Sequence, residues 1–147
     1  MKKNILFVFL FSLLSISALI AQSEEDQIKQ VIQKAYIEGI HNLGDPLEID
    51  KGFHPCFVLL SMADNGTTVN LLPIYTWKET TRLAKEKSPT GPAVKTTCDF
   101  LMIDVTGSAA IAKIQLRREG ILIFTDYLHL YKFKDGWKIV GKVFHRH

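Results

Sequence analysis

Apolar positions recur with two different periods along this chain. Ile28, Val31, Ile32, Ala35, Tyr36 and Gly39 keep the three-and-four spacing of one helical face, which predicts an amphipathic helix. Ser23 with Asp26 three residues later supplies its N-terminal cap, and Asn42-Leu43-Gly44 its stop. Asp45-Pro46 then opens a short second helix that turns Leu47, Ile49 and Phe53 inward. After His54-Pro55 the pattern changes. Cys56 to Met62 is an unbroken apolar run of strand length, Asp64-Asn65-Gly66 signals a hairpin turn, and Thr67 to Leu72 returns as the partner strand. Thr76 and Glu79 form a capping box for a third helix, Trp77 to Lys87, after which Ser88-Pro89-Thr90-Gly91-Pro92 reads as loop.

From Val94 the chain alternates to its end. The stretch from Ile111 to Phe144 is rich in β-branched and aromatic residues and is cut by Glu119-Gly120 and Asp135-Gly136, dipeptides suited to two-residue turns. With a further turn at Thr106-Gly107 this predicts a four-stranded antiparallel meander. Helices grouped apart from strands make an α+β domain: about three N-terminal helices packed on the concave face of a curved, mostly antiparallel sheet of about six strands.

Composition changes this picture at the N-terminus. Lys2-Lys3, the apolar Ile5 to Leu14 and the small residues from Ser15 to Ala21 read as a secretory leader spanning residues 1–21. The alternative is a membrane anchor, because the apolar run approaches the minimum of about 17 residues that spans a bilayer; the small residues and the acidic Ser23-Glu24-Glu25-Asp26 favour cleavage after Ala21. Residues 22–147 then form one domain, exported to the periplasm or beyond the cell. Two of the 18 basic residues belong to the leader, which leaves 16 against 15 acidic ones and a net charge of +1. That balance argues against nucleic acid, or a membrane surface after cleavage, as a partner. Cys56 and Cys98 both lie in apolar strand-like runs, so a disulfide and a pair of buried inert thiols both fit.

Three stretches carry a likeness to known proteins: Tyr36-Ile37-Glu38-Gly39-Ile40 followed by Asp45; Phe53-His54-Pro55; and Phe124-Thr125-Asp126-Tyr127-Leu128 through Asp135-Gly136-Trp137 to His145. With these residues in this order, the chain resembles the NTF2-like superfamily, and within it the putative lumazine-binding family of small secreted or periplasmic proteins. The resemblance implies a cone-shaped α+β fold. It does not choose a reaction, since that scaffold hosts isomerases, dehydratases, epoxide hydrolases and plain binding modules.

Pairing the last strands through their turns gives a register. Glu119-Gly120 sets Lys113 opposite Asp126, and Asp135-Gly136 sets Asp126 opposite His145. Those three would share the concave face with Gln115, Arg117, Phe124, Leu128, Trp137, Ile139 and Val143, and with Cys98, Phe100 and Met102 across the next turn. Candidate ligand-binding residues are therefore Tyr36, Phe57, Trp77, Phe100, Lys113, Gln115, Phe124, Asp126, Trp137 and His145. A cross-strand ion-pair ladder is the structural alternative for Lys113, Asp126 and His145. Tyr127, His129, Tyr131, Val140 and Phe144 would form the opposite face, and an aromatic patch of that kind suits a homodimer through Tyr127, His129, Tyr131 and Phe144.

The rest of the chemistry is sparse. His41 ends a helix, where the dipole favours a cation, and His54 suits a backbone bond beside Pro55. No metal site follows from His145 and His147, no nucleophile elbow is present, and no glycine-rich loop would hold a nucleotide cofactor. Three readings follow: a non-catalytic binding module for a small apolar or aromatic ligand; a cofactor-free isomerase or dehydratase using Asp126 and His145; or a structural domain with a filled pocket. A cavity of roughly 300 Å³ or more on the concave face would separate them.

Overall fold

The computed structural model describes residues 22–147; the leader read at residues 1–21 lies outside the described residues. Helix α1, Glu24–Val31, opens as its sequence predicts, with the Asp26 amide donating to Ser23 Oγ at 3.1 Å. It runs on without a break into a π-helical stretch, Ile32–His41. In such a stretch hydrogen bonds reach five residues back, so side chains five apart come nearly above one another. Tyr36 and His41 are brought edge to face in this way, with ring centroids 4.7 Å apart. Helix α2, Pro46–Gly52, is capped by Asp45, whose carboxylate accepts from the Leu47 amide at 2.9 Å. Its close approach to the first helix depends on two glycines: a Cβ on Gly52 would stand 2.2 Å from Ala35 Cβ, and one on Gly39 2.6 Å from Ile49 Cγ1.

Helix α3, Ile74–Lys87, starts three residues before its expected start. Pro73 rather than Thr76 is the boundary residue, and Glu79, expected to cap, instead pairs with Arg82 at 2.8 Å. The fixed φ of a proline suits the edge of a helix, which sets the start here.

The sheet comprises β1 (Phe53–Met62), β2 (Val69–Pro73), β3 (Thr96–Thr106), β4 (Ala109–Arg118), β5 (Ile121–Phe133) and β6 (Gly136–Arg146), in the order β2-β1-β6-β5-β4-β3. The expected α+β architecture and six strands are present. Four pairings are antiparallel, as expected; β1 and β6 run parallel, which makes the sheet mixed. Ile28, Ile32, Tyr36 and Ile37 from the first helix pack with Phe57, Ile114, Leu128 and Ile139 of the strands in one core.

The register of the last three strands departs from expectation at two points. The Glu119-Gly120 turn forms as predicted, with positive φ at both residues and Arg118 opposite Ile121. Ile123 is then an extra residue in β5, because Arg117 faces Leu122 while Leu116 faces Phe124. A second bulge falls at Val140, between the pairs Leu130–Ile139 and His129–Gly141. The turn before it is Lys134-Asp135, since Phe133 faces Gly136. Each bulge exchanges the two faces of its strand beyond it. Asp126 is therefore opposite Ile114 and Phe144, not Lys113 and His145. Lys113 faces Tyr127, and His145 faces Thr125, both on the other side of the sheet.

Cys56 and Cys98 are free thiols. Cys98 is half-buried, whereas Cys56 is exposed and so is not the buried thiol its apolar run suggested.

Candidate functional site

Three polar side chains meet inside the cone. Tyr36 comes from the π-helical stretch, Asp126 from β5 and Lys142 from β6, just past the bulge that turns it inward. Tyr36 and Asp126 are completely buried and Lys142 is 4% exposed. The Tyr36 hydroxyl donates to Asp126 Oδ2 at 2.6 Å, and the Lys142 ammonium donates to the same oxygen at 3.0 Å and to Tyr36 Oη. An ammonium and a carboxylate removed from water together are tolerable only because they neutralise each other and share further hydrogen bonds. Oδ1 of Asp126 is buried and, among the described residues, has no donor.

Aromatic rings surround the ammonium. Lys142 Nζ lies 4.8 Å from the ring centroids of both Tyr36 and Phe144, 5.7 Å from Trp77 and 5.8 Å from Phe124. Ring faces are electron-rich and attract a cation at such distances. Phe124 and Phe144 meet edge to face at 5.4 Å, and the Arg146 guanidinium sits 5.5 Å from Phe124. Trp77, Phe124 and Phe144 are only partly buried, so this side of the cluster is its way to solvent.

Burial governs the ionisation here. The Tyr36 phenol is pushed up, first by burial and then by the Asp126 charge, so it stays a proton donor. Burial pulls the Lys142 ammonium down, and Asp126 offsets part of that. His41 falls to about 3 through burial, with Lys142 and Arg118 adding repulsion. It is a neutral imidazole, not the cation that a helix end would favour, and its buried Nε2 has no partner among the described residues. Cys98 is pushed up to about 12, by burial and then by Asp99 and Asp126, and is an unreactive thiol at neutral pH.

Two cavities lie elsewhere among the described residues. One of about 620 Å³ opens between α2 and α3 beside Pro46, Ile49, Tyr75 and Arg82, and another of about 380 Å³ lies beside Gln27, Val31, Gly52 and Trp137. Neither is lined by Tyr36, Asp126 or Lys142.

The sequence from residue 23 to residue 145 matches the family described as "Putative lumazine-binding". The chain belongs to that family. Solved structures share its fold: an NTF2-like protein of unknown function from Shewanella baltica (22% identity, 84% of this chain and 94% of that one, TM-score 0.65) and one from Methylobacillus flagellatus (24%, 88% and 96%, 0.59). An NTF2-like protein from Cytophaga hutchinsonii is similar at 14% identity over 86% of this chain and 100% of that one, with TM-score 0.64. No curated protein matches. The fold of this putative lumazine-binding family member is thus NTF2-like, and its relatives at these identities speak to fold alone.

Of the residues singled out from the sequence of this family member, Tyr36, Trp77, Phe124 and Asp126 come together. Phe57 lies beneath them, stacked on Trp77 at 6.1 Å, and Phe100 shares the inner face through its pairing with Ile114. Trp137 is buried as expected but serves another end of the core, where its Nε1 donates to Glu24 at 2.6 Å. Lys113, Gln115 and His145 are on the outer face: Lys113 lies over the Tyr127 ring at 5.5 Å, Gln115 accepts from Arg117, and His145 meets His147 edge to face. Phe144 moves the opposite way, from the expected dimer face to the site. Lys142 and His41 were missed. The one sequence signal for Lys142 is a lone charge between Val140-Gly141 and Val143-Phe144; for His41 it is a ring five residues from a tyrosine, which has meaning only in a π-helix.

Proposed function

We propose that the protein binds a small apolar or aromatic molecule, without turning it over, where Trp77, Phe124 and Phe144 stand over the Tyr36–Asp126–Lys142 cluster. One observation carries this reading: a fully buried carboxylate has an oxygen without a donor among the described residues, and the ammonium paired with it lies 4.8–5.8 Å from the partly buried rings of Trp77, Phe124 and Phe144. Such an acceptor costs about 1–3 kcal/mol while unmatched, and a ligand N–H or O–H would match it. Proton-transfer chemistry shared between Asp126 and His145 has no geometric basis, because the two residues lie on opposite faces. A second reading, a structural plug, is supported by the burial of the cluster and by the position of the two cavities away from it.

The same proposal places the protein outside the cytoplasm, on the strength of the leader-like residues 1–21. It also pairs two copies through the outer sheet face, where Tyr127, His129 and Tyr131 are joined by the exposed Leu60, Met62, Leu71 and Val143. A native mass spectrum of the protein from its source tests all three points. The expected species is a dimer of chains starting at Gln22, each holding one small molecule that the Asp126→Asn variant lacks. A ligand-free protein supports the plug instead; a retained leader refutes cleavage, and a monomeric mass refutes the dimer.

A further inference from the structure

Lys142 has the surroundings of a reactive amine. Its nitrogen is held by two neighbours that can exchange protons with it, the Asp126 carboxylate at 3.0 Å and the Tyr36 hydroxyl, while the aromatic rings lie around it. Three N–H bonds leave an ammonium, and Asp126 and Tyr36 accept two of them. The third has no acceptor among the described residues. Burial lowers the affinity of this amine for its proton, and the Asp126 charge offsets only part of that. Desolvation beneath apolar rings is one of the ways proteins activate lysine.

We propose that Lys142 captures an aromatic aldehyde or ketone reversibly, as an imine, on the inner face of the cone. The inference rests on the reading of this face as a ligand site and deepens it by naming the ligand's reactive group. Asp126 first takes a proton from the ammonium. The nitrogen lone pair attacks the carbonyl carbon, a C–N bond forms, and the C=O π pair moves to oxygen, which takes a proton from Tyr36. The nitrogen, which now carries two protons and a positive charge, gives one proton back to the Tyr36 oxygen, and its recovered lone pair expels the hydroxyl as water with the proton held by Asp126. The product is a protonated imine paired with the Asp126 carboxylate. The balance is ammonium plus carbonyl to protonated imine plus water, with no change of oxidation state and no further reactant. The ligand ring would lie among Trp77, Phe124 and Phe144, and Asp126 Oδ1, which has no donor among the described residues, would accept from the protonated intermediates.

The test uses benzaldehyde and sodium cyanoborohydride at neutral pH, which fixes any imine as a benzyl-lysine that peptide mapping can locate. The expected result is benzylation of Lys142 about tenfold faster than at exposed lysines such as Lys87 and Lys134, the advantage of an amine with a lowered proton affinity at neutral pH. The wild-type map decides the question, because Lys142→Met removes a buried ion-pair partner and destabilises the fold. Asp126→Asn, which removes the proton acceptor, is expected to slow labelling at Lys142 and leave the surface lysines unchanged. Labelling confined to surface lysines overturns the proposal. Melting curves with benzaldehyde and no reductant separate the two readings: a rise without labelling keeps the ligand site and rejects the imine, and no rise and no labelling rejects both for this class of ligand.

Discussion

Lys142→Met is expected to destabilise the protein by about 3–5 kcal/mol, since it leaves the Asp126 carboxylate buried without its counter-charge. For a domain of this size that lowers the melting temperature by about 10–20 °C. Removing the whole cluster should cost far less than removing one member. Tyr36→Phe, Asp126→Leu and Lys142→Met combined leave no orphaned polar atom and replace it with apolar groups of similar shape, so stability should return to within about 1–2 kcal/mol of wild type. Denaturant unfolding of the single and triple variants checks this. A single Lys142→Met that unfolds within about 1 kcal/mol of wild type would show that the ion pair is solvated. If the triple variant is also unable to bind ligand while fully stable, the cluster is kept for recognition and not for the fold.

Acid should weaken the protein through His41. Its imidazole takes a proton near 6.5 when unfolded but only at about 3 when folded, because burial, Lys142 and Arg118 all oppose the charge. The folded value is the lower one, so the unfolded chain binds the proton first. The contribution is intact above pH 6.5 and is lost as pH falls from 6.5 towards 3. Its size is about 3 kcal/mol by pH 4. Carboxylates such as Glu24 and Asp135, held low by Lys132 and Lys138, add to the acid loss in any variant. The readout is therefore a difference: His41→Phe should flatten the unfolding free energy between pH 6.5 and 4 relative to wild type. Parallel pH profiles would mean that His41 takes up its proton in the folded state without penalty.

Much of this protein can be read along its sequence because its signals are local. Asp45-Pro46 caps α2 through a contact two residues long, Ser23 caps α1 across three, and Glu119-Gly120 forms its turn because glycine tolerates a positive φ. The apolar periods assign Tyr36 and Trp137 to the interior, and both are there. The family likeness adds the cone, which no single local signal contains.

What failed was parity and period. Ile123 and Val140 are ordinary strand residues, and nothing in their side chains announces a bulge; yet each bulge turns every residue beyond it to the opposite face. Lys113 and His145 were thereby exchanged for Ile114, Phe144 and Lys142 around Asp126. The same holds for His41, which reaches Tyr36 only because the helix widens to a five-residue hydrogen-bond reach. Local pattern was enough for the elements, their order, the buried face of the first helix and the family, though not for Leu47, which was read as inward on α2 and is exposed. Tertiary structure alone decided which charges meet, because a strand's facing depends on a count of residues that packing can change by one, while each residue's own preference stays the same.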